Sequence, residues 1–409
     1  MKSLITIAWR NCWRNPTRSM IVIFSIIVGL WASLFMMGFM EGLTQDRKTK
    51  GIDSFFSHIQ IESESFNYDQ DVINSIPDLS EVRKVLDQDP KIESYTERFI
   101  TESLLMTARE QRGAQLIAVD AEQELATLEL GHKLVEGEFF GDAYTRPILI
   151  GEKMSEELKV GIGAKIVLTF TNIDSIQVAE NFKVSGIYKS GNSGYDAYHV
   201  FVPREIIYDL TGKEIVHRIL VKTNVPEELE TYKVDILGKE LGHVNGIVVL
   251  SWRDSSPELA MADSVFEQYI YIMMAIIVIA LLFGIINTIT MSILERKREI
   301  GVLLAVGMNR RKIRLMIALE SLIYGLIGGP VGIILGLITI IYFGNNGLDM
   351  SAYASGFEAY GLSSVIYFSL ESKFYIAFGV LILSASFLGG LYPARIATSL
   401  DPIEAIRSI

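Results

Sequence analysis

Residues Ile293–Met316 read ILERKREIGVLLAVGMNRRKIRLM. The stretch holds seven Lys or Arg against two Glu, yet its middle, IGVLLAVGM, is almost wholly apolar. Ile300, Leu303, Leu304 and Gly307 fall at i, i+3, i+4 and i+7, which is one face of a helix. Asn309 is placed to cap a following helix. Arg296, Lys297 and Arg298 flank the apolar middle on one side, and Arg310, Arg311, Lys312 and Arg314 on the other. A short helix of this kind either lies on a membrane surface or docks in the groove of a partner. The residues alone leave both open.

Working outward, the flanks are runs built for lipid. Tyr269–Leu294 is 26 residues without a charge, and Ser321–Leu348 also has none. Two more such runs are Ile21–Met40 and Phe374–Ala394. A helix needs about 20 apolar residues to cross a bilayer, so each run can span. The first is too long for a signal peptide and no small-x-small site follows it, so it reads as a retained helix. Half of the 409 residues are hydrophobic and mean hydropathy is +0.32, with the apolar residues clumped. Membrane spans follow, rather than one large soluble core.

Lys and Arg set the orientation. Lys2, Arg10, Arg14 and Arg18 precede the first run, seven basic residues lie between the second and third, and Arg395 and Arg407 follow the fourth. The 344–373 connection carries only Lys373. Both termini and the 295–314 segment are therefore expected in the cytoplasm. Arg47, Lys48 and Lys50 oppose this but are outvoted. Residues 45–265 then lie outside. They carry most of the acidic residues behind the net charge of −11. That balance leaves no nucleic-acid footprint and reads as solubility.

Residues 1–18 form an expected amphipathic helix, with Leu4, Ile7, Ala8 and Cys12 on one face, ending at Pro16. Cys12 is the one cysteine, so no disulfide framework exists. Between the first and second runs, strand signals (SHIQIES, LIAVD, RPILIG, AKIVLTF, NFKVSGIYKS, YHVFVP) alternate with helical ones. Ser80 is a candidate cap for the helix in IPDLSEVRKVLDQDP, and glycines close the one in GEKMSEELKVGIGAK. The domain reads as α+β in two lobes, split near 120–225. In the third run Gly325, Gly328, Gly329, Gly332 and Gly336 recur at close spacing, a pattern for helix packing within the chain or for a dimer seam. Pro330 should kink that helix. Glu320, an acid at a membrane boundary, reads as a structural anchor pairing with Arg310–Arg314, ahead of a cargo or gating contact.

No G-x-x-x-x-G-K-[ST] occurs, so the chain is not expected to hydrolyse ATP itself. Metal and nucleophile signatures are absent, and His58, His132, His199, His217 and His243 are scattered.

NTITMSILERKREIGVLLAVGMNRRKIRLMIALESLIYGLIGGPVGIILG resembles the permease domain shared by FtsX-like, MacB-type and lipoprotein-releasing ABC transporters. The ending LYPARIATSLDPIEAIRSI, the opening IAWRNCWRNPTRSMIVIFSIIVGLWASLFMMGFMEG and the segments RPILIGEKMSEELKVGIGAKIVLTF and FKVSGIYKSGNSGYDAYHVFVP resemble the same group. The resemblance implies a membrane protein with four transmembrane helices and a large α+β extracytoplasmic domain inserted between helices 1 and 2. Its parts would be a cytoplasmic amphipathic helix over 1–18, a first span over 19–44, a periplasmic domain over 45–265 and an FtsX-like permease domain over 266–409. Spans two to four would cover about 269–294, 316–343 and 374–393. Stalks would run over about 41–52 and 256–268. Residues 295–309 would be a coupling helix, with Glu299, Ile300, Leu303, Leu304, Gly307, Arg310 and Arg311 against a cytoplasmic ABC ATPase subunit that holds ATP and Mg. Tyr392–Arg395 would end the fourth span. A second permease subunit, homo- or heteromeric, is implied, as are lipoprotein cargo and a periplasmic acceptor or adaptor. The setting implied is a bacterial inner membrane. The connection 344–373, with Phe357, Tyr360, Val365, Ile366 and Tyr367, would lie on lipid beside acyl chains. Drug or peptide efflux, and activation of a cell-wall hydrolase, are the family's other activities.

Overall fold

The computed structural model describes residues 2–399, apart from 142, 237–239 and 360. Two helices open the chain, α1 (Lys2–Cys12) and α2 (Pro16–Gly51). Pro16 begins α2 instead of ending α1; a first helical turn needs no N–H from it. A π-turn over Ile52–Phe56 closes α2.

The inserted domain follows as β1 (Ile59–Ser63), α3 (Glu64–Asp69), α4 (Leu79–Gln88), β2 (Ile92–Met106), β3 (Gln111–Val119) and α5 (Ala121–Thr127). Next come β4 (Leu134–Gly137), β5 (Pro147–Gly151), α6 (Glu152–Leu158), β6 (Lys165–Thr171), β7 (Gln177–Tyr188) and α7 (Ser193–Asp196). It closes with β8 (His199–Pro203), α8 (Arg204–Thr211), β9 (Arg218–Thr223), α9 (Leu229–Asp235), β10 (Ile247–Ser251) and α10 (Trp252–Ser255). The remaining chain is α11 (Pro257–Glu295), α12 (Lys297–Ala305), α13 (Arg310–Asn346), β11 (Leu348–Asp349), α14 (Ala354–Ala359), β12 (Val365–Ile366) and α15 (Ser372–Ser399).

The chain divides into two units, one of residues 1–44, 264–349 and 365–409, the other of 45–263 and 350–364. Among the described residues four helices are long and apolar enough to cross a membrane: α2, α11, α13 and α15. Each begins before its uncharged run. α13 continues unbroken through Pro330, and α15 through Pro393 to Ser399, beyond the Tyr392–Arg395 end expected for the span. In α1, Leu4, Ala8 and Cys12 are buried, whereas Ile7 is exposed. The face predicted for α1 is therefore narrower, and it packs on α13.

In the inserted unit the strands pair in the order β10-β1-β9-β2-β3-β8-β5-β7-β4, with β6 bridging β2 and β7. β2 is the hinge of this arrangement. Its first half pairs with β9 and its second half with β3 and β6. Around the first half lies a core of Ile59, Ile61, Val82, Ile219, Val221 and Trp252. Around the second lies one of Phe99, Leu116, Ile150, Met154, Phe182 and Val202. At the crossing β2 carries charges. Arg98 pairs with Glu124 with both side chains buried, and Glu97 takes Arg83 at 2.5 Å and Arg204 at 2.6 Å.

Some local expectations fail for local reasons. The α4 cap position is Asp78, not Ser80. α6 is closed by Lys159 in the left-handed region, not by a glycine. Arg47, Lys48 and Lys50 lie at the end of α2. Arg47 meets Glu258 at 2.5 Å, Lys50 meets Asp46 at 3.5 Å, and Lys48 lies over the Trp252 ring. Met350–Ser364 groups with the inserted unit, where Ser363 donates its N–H (2.9 Å) and hydroxyl (2.7 Å) to Asp46. Ile366 is fully buried rather than turned to lipid, while Tyr367 is exposed and Tyr360 lies outside the described residues.

His217 stacks on Phe66, accepts from the Ile100 N–H at Nδ1 and donates from Nε2 to the Val72 carbonyl. Burial lowers its pKa to about 4, and burial does the same for His199, stacked on Tyr195. Both groups stay neutral when folded but charge near 6.5 when unfolded, so their stabilisation is lost as pH falls from 6.5 towards 4. The loss is about 2 kcal/mol each by pH 5. Asp196, raised to about 6 chiefly by burial, takes up a proton in the same interval and offsets part of it. Thermal unfolding of the detergent-solubilised chain should show a lower midpoint at pH 5 than at pH 7; an unchanged midpoint contradicts the assignment.

Candidate functional site

The segment between α11 and α13 folds as its sequence directs. Arg296 breaks the helical path, α12 runs nine residues, and Gly307 ends it with φ +88°. The Gly307 N–H bonds to the Leu304 carbonyl (3.1 Å) and the Met308 N–H to the Leu303 carbonyl (3.0 Å). This is a Schellman cap, and its positive φ is why glycine stands there. The Asn309 side chain then caps α13, accepting from the Arg311 N–H at 2.9 Å.

The two faces of α12 differ from the stripe read in the sequence. Ile300 is 2% exposed and turned into the chain's own bundle. Leu303 and Leu304 are half-buried at the side. The outward apolar residues are Val302, 45% exposed, and Val306, 83% exposed. They stand four apart, on one helical face. The missed signal was present: the segment is apolar on more than one face, and a helix of that kind buries one face at home. Arg310 and Arg311 are exposed at the start of α13. Glu299 is held by Arg14 at 2.5 Å and by Arg296 at 3.3 Å, and hydrogen bonding from Arg14 keeps its carboxyl below the usual range.

Glu320 is 3% exposed, and its partner is Arg296, whose Nη1 lies 3.3 Å from each carboxylate oxygen. The expected Arg310–Arg314 pairing does not form. Arg314 is six residues before Glu320, about 240° around the helix, and donates to the Thr398 hydroxyl at 2.9 Å. Cys12 donates from Sγ to the Glu320 carbonyl at 3.4 Å, and burial pushes its thiol up to about 12.

The glycines of α13 are filled by the chain's own helices. A Cβ at Gly328 would lie 2.9 Å from Ile26, and one at Gly332 would lie 2.9 Å from Leu30 and 3.1 Å from the Ile27 carbonyl. Gly336 abuts Leu34 on α2, while Gly325 and Gly329 abut Ser386 and Ile382 on α15. All five glycines of this stripe pack within the chain. Among the described residues no group of three His, Cys, Asp or Glu could hold a metal ion.

Comparison with known proteins agrees with this layout. The FtsX-like permease C-terminal family matches residues 271–402, and the MacB-like periplasmic core domain matches residues 19–237. A lipoprotein-releasing system transmembrane protein LolC of Buchnera aphidicola is 23% identical over 82% of this chain and 83% of its own length. An uncharacterised ABC transporter permease of Methanocaldococcus jannaschii is 23% identical over 99% of this chain and 97% of its own. A macrolide export ATP-binding/permease protein MacB of Bordetella avium is 28% identical over 52% of this chain but only 30% of its own length.

The packing of α13 on α2 yields a direct test. Gly328→Ala and Gly332→Ala should each cost about 1–3 kcal/mol and lower the thermal midpoint of the purified chain. Gly379→Ala, whose Cβ would meet only Ile333 at 3.8 Å, should not lower it. Equal midpoints for all three would contradict the packing.

Proposed function

The chain belongs to the FtsX-like ABC transporter permeases that carry a MacB-like periplasmic core domain, and from that premise we propose that it serves lipoprotein release. A separate ATP-binding subunit docks against α12 on the cytoplasmic side and holds the ATP and Mg. Its closure on ATP is passed through α2 and α11 to the inserted domain outside a bacterial inner membrane. The work done there lifts acylated proteins from the outer leaflet towards a periplasmic acceptor. Two such permease chains act together. Residues contacting the ATP-binding subunit are Val302 and Val306, with Glu299, Leu303, Leu304, Arg310 and Arg311 at the rim and Gly307 shaping the end.

The observation that carries the lipoprotein reading is coverage. LolC relatives align over most of this chain and most of their own length, whereas the MacB relative has more than two thirds of its length outside the match. The MacB-like core match favours a second reading, export of a small molecule or peptide through an adaptor.

The tagged chain, purified from its native membrane with ATP hydrolysis blocked, should bring down an ATP-binding subunit and acylated peptides in mass spectrometry. An adaptor without acylated cargo moves the assignment to efflux, and a wall hydrolase moves it to signalling. No ATP-binding subunit at all overturns the docking role of α12.

A further inference from the structure

We propose that Arg296 and Glu320 are positioning residues for α12: their buried ion pair fixes the angle at which this helix presents Val302 and Val306. The inference rests on the reading of α12 as the docking helix.

Arg296 is the single residue between α11 and α12, with φ −104° and ψ 17°. Any change in the direction of α12 relative to α11 passes through it. Its guanidinium does not extend to solvent, as the exposed Arg298 does, but turns back into the bundle. The cause is Glu320. A carboxylate buried among membrane helices is costly without a cation. Arg296 is 15% exposed at its side chain and supplies that cation, its Nη1 centred between the two oxygens at 3.3 Å from each. The hinge residue is thereby tied to the third turn of α13.

The tie extends into α12 itself. Arg296 Nε lies 3.3 Å from Glu299 in the first turn of α12, and Glu299 lies 2.5 Å from Arg14, ahead of α2. Charges alternate along Arg14, Glu299, Arg296 and Glu320, so each inner member has two opposite neighbours. The Arg14–Glu299 pair is exposed and contributes little, whereas the Arg296–Glu320 pair is shielded from solvent. Ile300 packs inward in mid-helix, and the Gly307 cap followed by Asn309 fixes the far end to α13. The helix is thus held at its start, middle and end. Of these, the start alone depends on a charge pair that a single substitution removes.

The test reads the direction of α12. Nitroxides at Val306→Cys and Phe24→Cys, both exposed sites, report its position against α2 by pulsed electron resonance on the full-length chain. Cys12 is buried with a thiol of raised pKa, so it does not compete for label. The parent chain should give one narrow distance distribution. Glu320→Gln should broaden or shift it, and Arg296→Ala should do so more, because it leaves the carboxylate buried and unpaired. The exchange Arg296→Glu with Glu320→Arg should restore the narrow distribution. In parallel, the unlabelled chain co-purified with its ATP-binding subunit should lose ATP turnover in the single variants and regain it in the exchange. If Arg296→Ala fails to fold, Arg296→Gln takes its place. Unchanged distance and turnover in Glu320→Gln and Arg296→Gln would overturn the proposal. A distribution that responds while no ATP-binding subunit co-purifies with the parent would instead sink the docking reading and leave the positioning role standing.

Discussion

A carboxylate buried between membrane helices has to find its cation, and here that requirement organises one end of the bundle. Glu320 takes Arg296, which is the residue where α11 gives way to α12. Removing one member of such a pair costs about 3–5 kcal/mol, most of it the penalty of the stranded charge. The same carboxylate-bearing residue receives Cys12 at its carbonyl, so α1, α12 and α13 meet at one position. Around it the helices close by shape alone. α13 offers glycines where α2 and α15 approach, and small residues are what permit that approach in lipid.

The inserted unit solves a related problem in the opposite solvent. A sheet that feeds two apolar cores must cross from one to the other, and β2 makes the crossing at Glu97 and Arg98. Both charges are buried, so the crossing is lined by partners: Arg83, Arg204 and Glu124. Arg218 and Glu62 pair beside it, on the strands that flank the first core.

Much of the membrane part was legible because lipid imposes a coarse rule, about 20 apolar residues per span. The ends were less so, since helices outlast the apolar run when the next residues still favour helix, as in the stalk lengths of α2 and α11. The Asn309 cap was read from residue type. The orientation of α12 was misjudged: Ile300 and Val302 are both apolar, and periodicity cannot say which of two apolar faces a helix keeps for itself. Glu320 was visible as an outlier, but its partner was assigned by proximity in sequence when helical phase placed Arg314 on another side. In the inserted domain, long β2 was missed because its buried charges mask the strand pattern, and β4, β9 and β10 were also missed.

The face of α12 that meets another protein decides the role of the helix. A photo-crosslinking amino acid at Val306, in the full-length chain in its native membrane, should give an ultraviolet-dependent adduct with an ATP-binding subunit. The same group at Ile300, which faces the bundle, should give none. An adduct from Ile300 and not from Val306, or from neither, would contradict the account.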